Sequence, residues 1–299
     1  MVNGYTTIPT KLPDVGLPQG SPLSPILYIL YNADLVDKKI DYRGGAIAFV
    51  DDYSAWVTGS DVETNTAVIQ AQLIPRAEEW AKESGATFQA EKTSFIHFTR
   101  SAVKSKQTTV RVGMETITSS NSIKLLGVVL DAKLLFHEHV AKVAQRGHRA
   151  ALALRRLRDM RPMTARQIFE ATVTPMVDYA SNVWATNLSA KDIRLLSQSQ
   201  RVGAQAIIKA FSTTALKTAE LEASVATLRA RLAAKRQRFW INSHTLDRKH
   251  PFWDSKQLIR RVSRTFSPLW RIANEAKIVD ISNLETIRPF CKPPWRGGA

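Results

Sequence analysis

The sequence predicts an α+β region, a small antiparallel sheet with helices, followed by an all-helical and strongly basic region. Three observations carry this. Strand-like alternation is confined to residues before about 132. Helical spacing dominates beyond that point. The charge also changes sign along the chain: residues 1–100 hold 8 Lys+Arg against 12 Asp+Glu, a balance of −4, which leaves 34 basic and 14 acidic residues, +20, for residues 101–299. Such asymmetry points to a polyanion partner for the second part, most simply nucleic acid, with a solvated basic surface as the alternative.

Taken in order, residues 1–22 are rich in Gly, Pro, Thr and Ser and read as loop. Leu23–Lys39 reads as a helix, with Pro25 tolerated near its start. Ala46–Val50 and Tyr53–Val57 read as two strands around a two-residue turn. Val62, Thr66, Ile69, Leu73, Ala77 and Trp80 give helical spacing over Val62–Glu83, stopped by Gly85. Thr87–Gln89, Ser94–Phe98, Val110–Val112, Glu115–Thr118 and Ile123–Leu130 read as strands. Helices follow over His137–Asp159, Thr164–Val183, Ala190–Phe211 and Leu216–His244, with a weaker pattern over Ser255–Ala276. The expected regions are residues 1–132, 133–250 and 251–299, the last a helix and a linker-like tail.

The single cysteine, Cys291, rules out a disulfide framework and a cysteine-rich zinc site, and fits a reducing interior. No segment has the order of a signal peptide, and the apolar run Pro25–Val36 is interrupted by Asn32 and Asp34. The expectation is a soluble intracellular protein without a membrane partner.

Two stretches suggest chemistry. In "AIAFVDDYSAWVTG", Asp51 and Asp52 occupy a bend between apolar strands, where Asn-Gly or Asp-Gly would turn more easily. Paired carboxylates suit a hard divalent cation shared with substrate phosphates, Mg²⁺ above all; an acidic surface turn is the alternative. In "GLPQGSPLSPILY", Gly16 and Gly20 bracket Gln19, while Pro18, Pro22 and Pro25 stiffen the path. Glycines let backbone approach a ligand closely, and Gln19 brings both a donor and an acceptor.

Together these motifs resemble the palm of reverse transcriptases, and more closely that of the non-LTR, LINE-type retrotransposons, their fungal members in particular. The resemblance covers residues 3–245. It implies that Gly16, Pro18, Gln19, Gly20 and Ser21 line a nucleotide pocket. Phe49-Val50-Asp51-Asp52 is similar to the family's metal box, which makes Asp51 and Asp52 catalytic metal ligands. "GATFQAEKTSFIHF" resembles the segment whose lysine, here Lys92, faces the nucleotide's phosphates. "KLLGVVLDAKLLFHEHV" resembles the primer-grip hairpin, with Leu125, Leu126 and Gly127 at its turn. "TVTPMVDYASNVW", "QSQRVGAQAIIKAFSTT" and "ALKTAELEA" resemble thumb and connection helices. The implied activity is RNA-directed DNA polymerisation with Mg²⁺ (Mn²⁺ also serving), an RNA template, a DNA primer and deoxynucleoside triphosphates. The implied site of action is the nucleus, a mitochondrial one being left open.

The sequence departs from the family in one respect. A working palm needs a third carboxylate on a strand ahead of the Gly-Leu-Pro-Gln-Gly loop, and Asp14 is the sole acidic residue before Gly16. Two adjacent carboxylates do not readily hold two ions at the close separation that phosphoryl transfer uses. The expectation is therefore a polymerase portion that is inactive unless a missing N-terminal segment is supplied. The competing readings are a non-catalytic nucleic-acid binder and a decayed element remnant.

Lys142, Arg146, Arg149 and Arg156 fall on one face of the His137–Asp159 helix. Val140, Val143, Ala144, Gly147, Ala151 and Leu154 fall on another, the expected core face. A second basic cluster, Arg229, Arg231, Lys235, Arg236 and Arg238, precedes Phe239-Trp240. Lys142, Arg146, Arg149, Arg156, Arg236 and Arg238 are the expected nucleic-acid contacts, against the alternative of solvated helix faces. His137-Glu138-His139 lacks the spacing that puts two zinc ligands on one helical face.

Overall fold

The computed structural model describes residues 16–18, 20–37, 44–99, 101, 106–157, 159–247, 250, 252, 268–276, 280–281 and 284. The chain divides into two compact units, Met1–Ile123 and Lys124–Ala299. The division falls ahead of the change at residue 132 expected from sequence, because Val128 packs in the same core as the helices that follow it. The described residues combine helices with three separate two-stranded sheets, an α+β composition; the single small sheet expected from sequence is thus three hairpins.

The first unit holds α1 (Ser24–Asp37), β1 (Gly45–Phe49), β2 (Asp52–Trp56), α2 (Val62–Val68), α3 (Ile74–Ser84), β3 (Thr109–Val112) and β4 (Glu115–Thr118). Asp61 starts α2 by accepting from the Thr64 amide at 2.7 Å, and Gly85, at φ 68°, ends α3. The expected single helix Val62–Glu83 is interrupted by a π-turn over Ile69–Leu73. Pro75 supplies the reason: it has no N–H for the preceding turn and its ring crowds the carbonyl there. Helices α1 and α3 cap each other. The Tyr31 hydroxyl donates to the Ser84 carbonyl at 2.7 Å, and Arg76 donates to the Leu35 carbonyl at 2.7 Å.

Two expected strands, Thr87–Gln89 and Ser94–Phe98, are not strands. Residues 86–89 and 93–99 are irregular around a short 3₁₀ turn, Ala90–Lys92. Among the described residues the second segment has one backbone hydrogen bond to a distant stretch of chain, from the Ser120 amide, just past β4, to the Phe95 carbonyl at 2.9 Å. A single link does not make a ladder. His97, Thr66 and Thr108 supply side-chain contacts in its place, with His97 Nε2 2.8 Å from the Thr108 hydroxyl.

The second unit begins inside a hairpin, β5 (Ser122–Leu125) and β6 (Val128–Asp131), where one continuous strand was expected from Ile123 to Leu130. Leu126 and Gly127, both at positive φ, form the turn that divides that run. Helices α4 (His137–Arg156), α5 (Pro162–Ile168), α6 (Thr174–Asp178), α7 (Ser181–Trp184), α8 (Ala190–Ile207), α9 (Leu216–Glu222), α10 (Leu228–His244) and α11 (Pro268–Glu275) follow. A π-turn at Phe169–Val173 again ends two residues before a proline, Pro175, and splits the expected Thr164–Val183 helix. The expected Leu216–His244 helix breaks between α9 and α10, at Ser224 with φ 51°. The part of the Ser255–Ala276 pattern at 255–267 lies outside the described residues.

Two cores hold this unit. One gathers Val128, Phe136, Val140, Val177, Trp184, Leu196 and Leu232; the other Leu154, Phe169, Val173, Ala204 and Ile207. Every core residue expected on α4 is buried. At Gly203 a Cβ would lie 2.1 Å from the Phe169 ring, so only glycine lets α8 approach that ring. Asp178 and Arg231 form a buried bidentate pair at 3.1 and 3.2 Å, and Arg231 also donates to Gln200 at 2.6 Å.

Candidate nucleotide and metal site

The acidic residues sit on the β1–β2 hairpin, one position away from where the sequence suggests. Phe49 pairs with Asp52, so the two turn residues are Val50 and Asp51, and Asp52 opens β2. Val50 carries φ 54°, and Asp51 is not among the positive-φ residues. That sign pattern belongs to a II′ turn, whose first central position favours glycine. A β-branched residue there is a genuine outlier, and left-handed backbone costs it roughly 1–2 kcal/mol. The turn is held from outside itself. Asn32, buried in α1, donates its side-chain amide to the Val50 carbonyl at 2.5 Å.

Asp51 and Asp52 are both exposed, and neither carboxylate has a hydrogen-bond or ion-pair partner among the described residues. Burial, and then the Asp51 charge, push the Tyr28 phenol above its usual range, so Asp51 lies close to the helix that follows the Gly-Leu-Pro-Gln-Gly loop. Tyr53, next to Asp52, packs its ring against Phe88 at 6.2 Å, which links the hairpin to the segment bearing Lys92. Burial raises the Tyr53 phenol, opposed by the Arg76 charge. Lys92 is exposed at the end of its 3₁₀ turn.

Ahead of α1, Gly16 and Gly20 adopt φ 91° and 90° with nothing within 4 Å of an added Cβ, so backbone conformation alone calls for glycine there. The Pro18 carbonyl accepts from the Ser21 amide at 3.3 Å and the Ser24 hydroxyl at 2.8 Å, which folds the loop onto the helix start. Gln19 lies outside the described residues.

The two carboxylates are hard oxygen donors on neighbouring residues, a fit for one Mg²⁺ or Mn²⁺ ion with water or phosphate completing its shell. Among the described residues no group of three or more His, Cys, Asp or Glu side chains could hold a metal ion. The His137-Glu138-His139 run diverges. His137 Nδ1 lies 3.1 Å from both Asp192 oxygens, while His139 accepts from the Val129 amide at 3.2 Å and packs on Trp184. Burial pushes the Asp192 carboxyl up, but hydrogen bonds from Ser189 and His137 outweigh it and hold the group low.

In the second unit, Leu125 ends β5, and Leu126 and Gly127, at φ 45° and 85°, form the turn. Positive φ at both positions defines a I′ turn, for which Asn-Gly would be the easy sequence. Lys142, Arg146, Arg149, Arg156 and Arg238 are exposed, Lys142 pairing with Glu138 at 2.7 Å. Arg236 differs. Its side chain is only 14% exposed, bonded to Glu275 at 2.6 Å and directed at the Ala185 carbonyl. Arg231 of the same cluster belongs to the buried Asp178 pair. Arg236 and Arg231 therefore serve the fold in this structure. Sequence reading missed Asn32 as a support, although a lone Asn inside "ILYILYNADL" is the kind of signal that marks one.

Comparison with known proteins shows what this chain is similar to. Residues 3–130 match the family model described as reverse transcriptase (RNA-dependent DNA polymerase). The chain is similar to a protein named as a probable RNA-directed DNA polymerase from transposon X-element of Drosophila melanogaster, at 30% identity over 44% of this chain and 14% of that protein. It is also similar to RNA-directed DNA polymerases from the mobile element jockey. These are 25% identical in Drosophila funebris, over 44% of this chain and 15% of the relative, and 26% identical in Drosophila melanogaster, over 48% and 16%. The chain thus spans about one-seventh of the length of these relatives. No solved structure matches it. The comparisons support a reverse-transcriptase fragment. Among the described residues no helix is long and apolar enough to cross a membrane.

Proposed function

We propose that this chain is the metal- and primer-contacting portion of an RNA-directed DNA polymerase of a non-LTR, LINE-type element, nearest to the fungal members by its motifs. The first unit is then the later part of the palm and the helices of the second form the thumb and connection. The observation that carries the reading is the acidic hairpin. Two carboxylates without a partner among the described residues, on a hairpin whose turn is held by a buried amide, lie inside the segment that matches the reverse transcriptase model.

In this reading Asp51 and Asp52 hold Mg²⁺ or Mn²⁺, which when bound activates the attacking hydroxyl and offsets charge on the leaving group. The loop at Gly16, Pro18, Gln19, Gly20 and Ser21 lines the nucleotide pocket, and Lys92 meets the triphosphate. Leu125, Leu126 and Gly127 contact the primer. Exposed Lys142, Arg146, Arg149, Arg156 and Arg238 contact template–primer phosphates. The described residues supply two carboxylates at the bend, so polymerisation needs a further oxygen ligand from elsewhere. The place of action is nuclear.

The test has two arms. Binding of an RNA–DNA duplex should fall by orders of magnitude as salt rises from about 50 to 200 mM, because several phosphate contacts release counterions. Salt-independent binding contradicts the reading. When the chain follows the preceding segment of a longer relative, primer extension on RNA should appear and be lost on Asp51→Ala. Extension that survives Asp51→Ala overturns the metal assignment.

A further inference from the structure

The Leu126–Gly127 turn asks leucine to hold a left-handed backbone at φ 45°. That conformation costs a non-glycine residue roughly 1–2 kcal/mol, so an unsupported Leu-Gly loop would relax to another form. The structure shows what prevents this. The Tyr179 hydroxyl donates to the Leu126 carbonyl at 2.8 Å. The Tyr179 ring lies over the next residue, since a Cβ added at Gly127 would come 3.2 Å from ring atom Cε1. One side chain thus fixes the carbonyl of one turn residue and covers the face of the other.

Tyr179 is itself held. Its backbone carbonyl accepts the Trp184 indole N–H at 2.8 Å, and Trp184 is fully buried in the core that also contains Val128 of β6. Ala180, at φ 50°, turns the chain from α6 into α7 and makes this return possible. The turn is therefore tied to one core by two routes, its own strand and the Trp184–Tyr179 link. Yet Tyr179 remains 55% exposed and Leu126 39% exposed. A solvated hydrogen bond of this kind adds little to global stability. Its effect is local: it sets the orientation of an exposed turn.

We propose that Tyr179 is a positioning residue that presets the Leu126–Gly127 turn for a primer 3′ terminus. This rests on the reading of that turn as a primer contact. Tyr179 touches neither metal nor reacting atoms in this scheme; it acts through the turn.

The test uses the full chain and Tyr179→Phe, which keeps the ring and removes only the hydroxyl. Two quantities are measured: amide exchange of residues 125–129, and affinity for an RNA template carrying a DNA primer with a recessed 3′ end against a blunt duplex of the same length. The wild-type chain should prefer the recessed end. Tyr179→Phe should abolish most of that preference, a loss of roughly fivefold for one hydrogen bond, and speed exchange at the turn by a similar factor. Blunt-duplex affinity and the melting midpoint should stay unchanged. Preserved preference and preserved exchange in Tyr179→Phe overturn the proposal while leaving the primer reading intact. A wild-type chain that shows no preference for the recessed end overturns the primer reading, and the role of Tyr179 falls with it. As a second variant, Leu126→Gly relieves the strain; in that background Tyr179→Phe should change exchange far less, and an equal change contradicts positioning through Leu126.

Discussion

The hairpins β1–β2 and β5–β6 each put a branched residue in left-handed backbone, Val50 at φ 54° and Leu126 at φ 45°. In each, a side chain distant in sequence donates to the carbonyl of that residue: the Asn32 amide in the first unit, the Tyr179 hydroxyl in the second. The supports differ in depth. Asn32 is buried in a helix whose Ile26, Ile29 and Leu30 stay exposed, while Tyr179 is exposed but tied by Trp184 to a full core. A strained turn can thus be held by a buried polar group in one unit or by a surface group tied to a packed core in the other. Strain at such positions is the usual mark of a functional constraint.

The largest effect should come from breaking the packing that distinguishes the second unit. Asp178→Ala leaves the Arg231 guanidinium largely buried without its carboxylate, and should cost about 3–5 kcal/mol in urea unfolding. Exchange should accelerate across α4 and α8 while α2 and α3 change little. Uniform acceleration in both units would erase the contrast drawn here.

Acid should act on both units. Burial holds His97 below the usual histidine range, with the Glu63 charge partly opposing, and holds His139 low with Arg146 and Lys142 adding to the effect. A histidine with a lowered folded pKa binds fewer protons folded than unfolded. Its neutral form therefore supports the fold above about pH 6.5, and stability falls as pH drops from there toward the lowered value. Lowering pH from about 7 to 5 should reduce the melting midpoint, and His139→Phe should flatten that slope for the second unit. An unchanged slope in the variant contradicts the assignment.

A smaller effect sharpens the comparison of the turns. Asn32→Leu fills similar space but cannot donate, and should cost about 1–2 kcal/mol by leaving the Val50 carbonyl unpaired. Val50→Gly removes the backbone strain, so in that background Asn32→Leu should matter less. Additive effects of the two substitutions would show that the amide does not hold the turn.

How much of this was legible in the sequence follows from range. The core face of α4 was readable because one long amphipathic helix repeats its signal from Val140 to Leu154. The acidic hairpin was readable as an element but misplaced by one residue, since turn rules would not put Val50 in left-handed backbone. Ile123–Leu130 read as one strand because Gly127 was the one turn-type residue within it. Arg236, an expected nucleic-acid contact, is ion-paired because α11 brings Glu275 to it from 39 residues away. Asn32 and Tyr179 act across 18 and 53 residues, a distance at which no local pattern speaks. The motifs of the candidate site were visible early; their supports needed the fold.

The central claim is that Asp51 and Asp52 form a divalent-metal site. Substoichiometric Mn²⁺ added to the ¹⁵N-labelled chain tests it most directly, because paramagnetic broadening needs no activity. The account predicts broadening centred on residues 49–53, with weaker effects at Tyr28, and its loss in Asp51→Asn. Broadening centred elsewhere, or unchanged in Asp51→Asn, would contradict it.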